Sequence, residues 1–502
     1  MRMLSSAPNQ QFVNKWLPIG IFVSFFIAIA VATLYYAPSW GLMDDHGFLN
    51  MARTYWQNPS DAKNVTGSFQ AAGMFRPMVF VWATIFYKVF EYWPTGFYIF
   101  IAAGNMAAML LWGIVFYRYF GVRPQNRSWT IFFFPLTFFL FLPFWNIFTY
   151  LSVQEKFVVF LAPLALILFQ KTYLDRNPVD MVVLYVIAVL GMLSKATFIF
   201  VPVAMLVYSF LDLIFFKSRW AVSLWHFLIC SVSLAYYAFY TITVQLKGEY
   251  TSKYKAGLTI GGLLGKVLGA TMLVKILIVI GIIGFFTFLA IAVRSKKSEY
   301  LFGSLIYCGL VGYLVLLLPW GIQSYLLSAA GPLALGALFP VYAWLIKKGG
   351  KVKLCVNTVV VMLICFVFIG NIVPSISRMG DIARTIEFLS GRQGALTDIY
   401  FMPPGYTETA YAAGKFTGKT IYYCNEGKIT ADLLAPQGKN YVILTDLIPS
   451  ISLSGVKMQE RIYANGTWEI FELVADPGHE EKFNVSFKKT VLQVLKVKIR
   501  DM

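Results

Sequence analysis

Between Leu17 and Val373 the chain repeats one pattern, an apolar run followed by a short polar or basic turn. About 20 apolar residues in a helix, at 1.5 Å each, cover the roughly 30 Å hydrocarbon core of a bilayer. A chain with many such runs folds inside a membrane. Its charge content agrees: 13% of the 502 residues are charged and 58% are hydrophobic, whereas soluble proteins carry about 25% charged residues. From Pro374 to Met502 the pattern stops and the composition becomes mixed, which marks a separate soluble unit. The expected architecture is a polytopic α-helical membrane protein over residues 1–373 with an exterior α/β domain over residues 374–502.

The run Leu17 to Tyr36 is too long for a signal-peptide core and has no small-residue cleavage site, so it reads as an uncleaved first span. Cys230, Cys308, Cys355 and Cys365 lie within apolar runs and act as small hydrophobes, with Cys424 alone in the polar part. No disulfide framework follows.

The net charge of +18 invites a nucleic-acid reading, but its distribution excludes one. Basic residues collect in short turns: Arg118, Arg123 and Arg127; Lys171 and Arg176; Lys217 and Arg219; Arg294, Lys296 and Lys297; Lys347, Lys348, Lys351 and Lys353. This is the positive-inside pattern of cytoplasmic loops. All of these turns fall on one side only if the short stretch Pro77 to Phe90 lies along the opposite surface as an interfacial helix. The spans are then about eleven: 17–36, 97–117, 129–145, 156–170, 181–194, 196–216, 221–244, 266–293, 300–318, 325–346 and 354–373. The outer face receives residues 37–96, 146–155, the turn at Lys195, 245–262, 319–324 and the last domain.

Chemistry-bearing residues concentrate on that outer face. Asp44 and Asp45 follow the first span directly, and ionised groups beside hydrocarbon lose hydration. One Asp serves as a helix cap ahead of His46 to Trp56, but a second adds repulsion. General-base deprotonation of a hydroxyl and metal ligation are the two chemistries that suit the pair. His46 beside them reads as an interfacial side chain or a substrate contact. Arg76 precedes Pro77 and offers a planar fork of donors to a phosphate, or snorkels to the headgroups. Glu155, Lys156 and Lys195 at outer turns read as interfacial anchors or site residues. Lys247, Lys253 and Lys255 make a basic outer loop suited to an anionic head or to lipid. Gln323 and Tyr325 stand at the mouth of a span. His46 has no partner of obvious metal-site spacing, so a divalent metal at the acidic pair stays open without being indicated, and no other cofactor is expected.

The last domain reads as α/β, with strands at 398–402, 420–423, 441–445 and 468–473 and a helix after Pro404-Gly405. It carries no phosphate-binding glycine fingerprint and no nucleophile elbow, so it reads as accessory. Sequons at Asn64, Asn465 and Asn484 lie on the exterior side.

This arrangement resembles the GT-C superfamily of membrane glycosyltransferases. Met43-Asp44-Asp45-His46 stands where the family has its acidic motif. Phe75-Arg76-Pro77, followed by an amphipathic stretch, is similar to the basic-Pro motif of the lipid A aminoarabinose transferase branch. Ser194-Lys195-Ala196-Thr197, shortly before Val201-Pro202, resembles the turn between two spans there. The basic residue usual near a late outer turn is absent, and Gln323-Ser324-Tyr325 stands in its place. The resemblance implies a sugar donor on a polyprenyl phosphate and inverting transfer to a glycan, lipid or protein hydroxyl outside a bacterial inner membrane. Size and loop plan also resemble the enzymes that glucosylate lipid-linked O-antigen, part of the lipopolysaccharide of the cell envelope. On this reading Asp44 or Asp45 is the base, and Arg76, then Lys195 and the Lys247–Lys255 loop, meet the phosphate. Glu155, His46, Gln323 and Tyr325 are possible substrate contacts. The alternative is a transporter or flippase of lipid-linked saccharides, which needs ionisable residues near mid-span. The spans offer few: Asp212 lies near an inner end, and Lys275 is the clearest interior charge.

Overall fold

The computed structural model describes residues 7–38, 77–90, 93–149, 155–217, 219–243, 260–318, 326–347, 350–391, 398–402, 420–423, 428–445, 450–465 and 468–484. Nine helices among these are long and apolar enough to cross a membrane. All the α-helices of the described residues, in chain order, are α1 (Ala7–Tyr36), α2 (Pro77–Phe90), α3 (Pro94–Tyr119), α4 (Asn146–Thr149), α5 (Glu155–Asp175), α6 (Pro178–Ser194), α7 (Phe200–Leu211), α8 (Trp220–Thr243), α9 (Ile260–Gly269), α10 (Met272–Ser295), α11 (Leu301–Leu317), α12 (Ala330–Ala337), α13 (Phe339–Lys347), α14 (Gly350–Val367) and α15 (Val373–Gly391). α6, 17 residues long, is too short to be counted by length, yet it runs from the Lys171–Asp180 contact to Lys195 beside Glu155, and the irregular run after Pro124 leads from Asn126 beside Lys353 to Pro143 beside Ser328.

Hydrogen bonds fix which helix ends lie together. The Trp112 indole N–H donates to the Val159 carbonyl at 2.9 Å and the Tyr119 hydroxyl to that of Leu166 at 2.7 Å, so α3 and α5 run parallel. Thr95 donates to the Pro38 carbonyl at 3.4 Å, which brings the end of α1 to the start of α3. Ser328 donates to the Pro143 carbonyl at 2.7 Å, adding the start of the α12 region to that end. At the other end the Lys353 ammonium reaches the Asn126 amide oxygen at 3.4 Å, and the Tyr208 hydroxyl reaches the Ser298 carbonyl at 3.4 Å. Arg219 donates to the carbonyls of Tyr173 and Leu174. The basic turns therefore share one end, as the charge pattern predicts, and the starts of α3 and α5 share the opposite one.

The stretch expected as a helix over 129–145 is instead a π turn (Trp129–Phe133) followed by 3₁₀ segments (Phe134–Leu140 and Leu142–Trp145). Pro135 and Pro143 lack the N–H that a continuous α-helix needs, so the run tightens around them. It lies hard against α3, because a Cβ on Gly113 would sit 2.4 Å from the Ile131 carbonyl oxygen. Aromatic rings fill this core: Phe116 meets Phe339 at 5.7 Å and Phe134 meets Phe339 at 4.8 Å. The expected span 266–293 is likewise two helices, α9 and α10, broken at Ala270-Thr271. Lys275, read as an interior charge, is in the first turn of α10 and exposed.

Outward faces are as apolar as the core. Met272, Leu273, Ile276, Val279, Ile283 and Phe286 of α10 are all exposed. Water would not tolerate so large a contiguous patch, whereas lipid covers it without cost. The protein is a multi-pass membrane protein.

α15 continues the last crossing into a six-stranded sheet of order β2-β1-β4-β6-β5-β3. The strands are β1 (Ile399–Met402), β2 (Thr420–Tyr423), β3 (Lys428–Thr430), β4 (Asn440–Thr445), β5 (Ser450–Ala464) and β6 (Trp468–Asn484). β1, β2 and β4 are parallel, while β6 runs antiparallel to β4 and β5. Successive residues alternate faces: Tyr400 and Tyr441 pack with Leu389 of α15, while Phe401 and Val442 pack with Ile451 and Leu473. β5 is not among the strands the sequence suggests; its inward Ile451 and Leu453 alternate with half-buried serines. The helix expected after Pro404-Gly405 lies outside the described residues.

Candidate functional site

Glu155 is the first residue of α5, where the helix dipole favours a carboxylate. Lys195 ends α6 in an extended conformation (φ −154°, ψ 124°), its N–H still donating to the Gly191 carbonyl at 2.9 Å. The chain then makes a 3₁₀ turn over Ala196–Ile199 and returns as α7. Gly191 permits this reversal, since a Cβ there would sit 2.4 Å from the Phe198 ring. The turn aims Lys195 across the bundle, and its ammonium meets the Glu155 carboxylate at 2.8 Å.

Both side chains are sealed from solvent, with 7% of the lysine and 1% of the glutamate exposed. That corrects the expectation of interfacial anchors, which would leave the charged heads in water. Two ions withdrawn from water each lose several kcal/mol of hydration, and their mutual attraction offsets that only at contact geometry such as this. The Tyr313 phenol of α11 faces the same carboxylate and also Thr197 of the turn. Neither Tyr313 nor Thr197 stands out in sequence, because a tyrosine in an apolar run and a threonine in a turn are ordinary there.

Lys156 is also buried, and its ammonium lies 6.0 Å above the Phe97 ring of α3. Phe157 stacks on Trp82 of α2 at 6.0 Å, and Phe86 meets Phe97 at 5.5 Å. α2 thus packs beside the starts of α3 and α5, at the same end as the ion pair and away from the basic turns. Asp44, Asp45, His46, Arg76, Lys247, Lys253, Lys255, Gln323 and Tyr325 lie outside the described residues. Of the residues singled out in the sequence, the structure brings together Glu155 and Lys195, with Lys156 adjacent. Arg76 is bonded directly to the first residue of α2, and the acidic pair follows Pro38 by six residues.

A second buried polar group lies toward the basic end. Asp212, fully buried, accepts from the Ser223 hydroxyl at 2.6 Å. The His226 ring contacts Thr172 at 3.1 Å and Tyr185 at 2.8 Å, one hydroxyl on each nitrogen. These contacts tie α5, α6, α7 and α8 together. His226 carries no signal in the sequence, being one polar residue in an apolar run. Among the described residues no three His, Cys, Asp or Glu side chains group as metal ligands.

No protein-family model matches the sequence, and comparison with curated proteins finds no match. Among solved structures the chain is similar to the crystal structure of ArnT from Cupriavidus metallidurans bound to undecaprenyl phosphate. The two are 12% identical, the match covers 90% of this chain and 97% of that one, and the TM-score is 0.41.

Proposed function

We propose that the protein is a membrane glycosyltransferase that moves a sugar from a polyprenyl-phosphate donor to an acceptor hydroxyl. The buried Glu155–Lys195 pair at the end opposite the basic turns is the observation that carries this reading. A fixed ammonium in a water-poor site stabilises negative charge that grows on a departing phosphate far better than one in solvent. In the sequence, Asp44 and Asp45 follow the end of α1, and Arg76 immediately precedes α2.

In the reaction, a carboxylate of Asp44 or Asp45 takes the acceptor O–H proton as the oxygen attacks the anomeric carbon. The bond from that carbon to the phosphate oxygen breaks, and the phosphate leaves with the electron pair on the lipid. Attack opposite the leaving group inverts the anomeric centre. Lys195 and Arg76 meet the phosphate, with Lys247, Lys253 and Lys255 next to them in the assignment. Glu155, His46, Gln323 and Tyr325 are assigned to substrate contact. The acceptor is a lipid-linked or surface glycan, the basic end faces the cytoplasm of a bacterial inner membrane, and the sheet domain faces the periplasm.

The test is release of polyprenyl phosphate from a panel of polyprenyl-phosphate hexoses and pentoses by the purified protein, with surface glycans compared by mass spectrometry with and without it. Asp44→Asn or Asp45→Asn should abolish transfer while insertion survives. Full activity in both single variants and in the double variant sinks the base assignment. Movement of a lipid-linked saccharide across proteoliposomes without sugar transfer would establish the flippase instead.

A further inference from the structure

At the basic end, far from the ion pair, a cleft of about 650 Å³ lies between the π turn after α7 and the end of α10. Phe215 and Phe216 line it from the π turn that ends α7, and Val293, Lys296, Lys297, Ser298 and Glu299 line it from the end of α10. We propose that this cleft binds the phosphate headgroup of an anionic membrane lipid, separately from any sugar donor.

Three observations carry the assignment. The wall is amphipathic in one direction: Phe215 and Val293 are exposed side chains on lipid-facing helices, while the lysines cap the helix beyond them. An acyl chain and a phosphate require that order along the bilayer normal, with apolar surface inward and cations at headgroup level. The backbone that carries the cations is also held in place. Lys296 adopts a left-handed conformation (φ 55°) that closes α10, and the Lys297 N–H donates back to the Ala292 carbonyl at 3.2 Å. Two buried tyrosines hold the turn from behind, the Tyr173 hydroxyl reaching Ser298 Oγ and the Tyr208 hydroxyl reaching the Ser298 carbonyl, each at 3.4 Å. A turn pinned this way loses little freedom when a ligand binds. Finally, the charge is complementary: two lysines and one glutamate, Glu299, line the cleft, which leaves the lining net positive and selects an anionic over a zwitterionic headgroup.

The positive-inside rule accounts for lysines at this end, but not for a cleft that places them over an apolar wall.

The experiment uses the full-length protein in nanodiscs of phosphatidylcholine with 20 mol% phosphatidylglycerol (a composition set by choice, on the order of an anionic leaflet), with retained lipid read by native mass spectrometry after release. The wild type should retain phosphatidylglycerol. Lys296→Gln/Lys297→Gln should retain it at least fivefold less, and Lys296→Arg/Lys297→Arg should restore it. Glu299→Gln should raise retention severalfold, which keeps the test decisive if the double lysine variant inserts poorly. Lys347→Gln, at the same end but outside the cleft, should change nothing. Equal retention in the wild type, the double glutamine variant and Glu299→Gln overturns the proposal. So does equally strong competition by soluble glycerol phosphate, which would make the cleft a site for free phosphate esters rather than lipid.

Discussion

Removing one member of the Glu155–Lys195 pair should cost far more than removing both. At 2.8 Å, and with an effective dielectric near 20, the two charges attract by about 6 kcal/mol. Most of that offsets the hydration both groups lost on burial, so the intact pair is close to neutral for stability. Glu155→Gln abolishes the attraction and leaves the Lys195 ammonium buried, at a cost of about 3–5 kcal/mol. Lys195→Met strands the carboxylate and should cost a similar amount. The double variant carries no buried charge, and methionine occupies most of the lysine volume, so it should return to within about 1 kcal/mol of the wild type. Equilibrium unfolding of all four proteins in mixed micelles gives the coupling as a double-mutant cycle, expected to exceed about 3 kcal/mol. If Glu155→Gln costs under about 1 kcal/mol, or the double variant is no better than the singles, the pair is not desolvated as described. The double variant also separates stability from chemistry: it should be folded yet deficient in sugar transfer.

Other outcomes follow from single contacts. Gly191→Val should destabilise the turn that presents Lys195 by about 1–3 kcal/mol, and Phe198→Ala in the same chain should recover part of it, read by thermal unfolding. Asn465→Ala removes an amide whose two N–H groups are shared among the Asp381 carbonyl and the Thr385 and Tyr463 hydroxyls, each 3.0 Å from its nitrogen. At about 1 kcal/mol per bond, the sheet should loosen from α15 and gain protease cleavage between residues 391 and 398. Because that amide is engaged, the sequon at Asn465 should stay unmodified in a glycosylating host, as a glycopeptide map would reveal. Arg76→Ala should weaken donor binding, and unchanged affinity would move the phosphate contact elsewhere. Cysteines introduced at Asp61 and Gly350 should label from opposite sides of the membrane, and same-side labelling would refute the interfacial placement of α2.

What the sequence determined by itself was the membrane class and the two-ended distribution of charge. Both follow from composition summed over long windows: runs of about 20 apolar residues cannot stay in water, and clustered lysines and arginines stay out of hydrocarbon. The local breaks were less legible. Pro135 and Pro143 are visible as letters, but whether their stretch kinks or rewinds into π and 3₁₀ turns depends on how closely Gly113 lets it approach α3. β5 was hidden because its outward serines obscure the inward Ile451 and Leu453, whose burial only the neighbouring strands create.

The site divides the same way. Glu155 and Lys195 could each be named from the sequence as charges at an outer turn, but not as partners, because they are 40 residues apart and belong to different helices. Their contact depends on α5 and α6 packing side by side and on Phe198 folding over Gly191. Burial then changes what the two residues are. The same ammonium and carboxylate that would be inexpensive anchors in headgroup water become, once sealed from it, a strongly coupled pair. Only the tertiary structure decides which side of the water boundary a charge occupies, and here that boundary determines the chemistry.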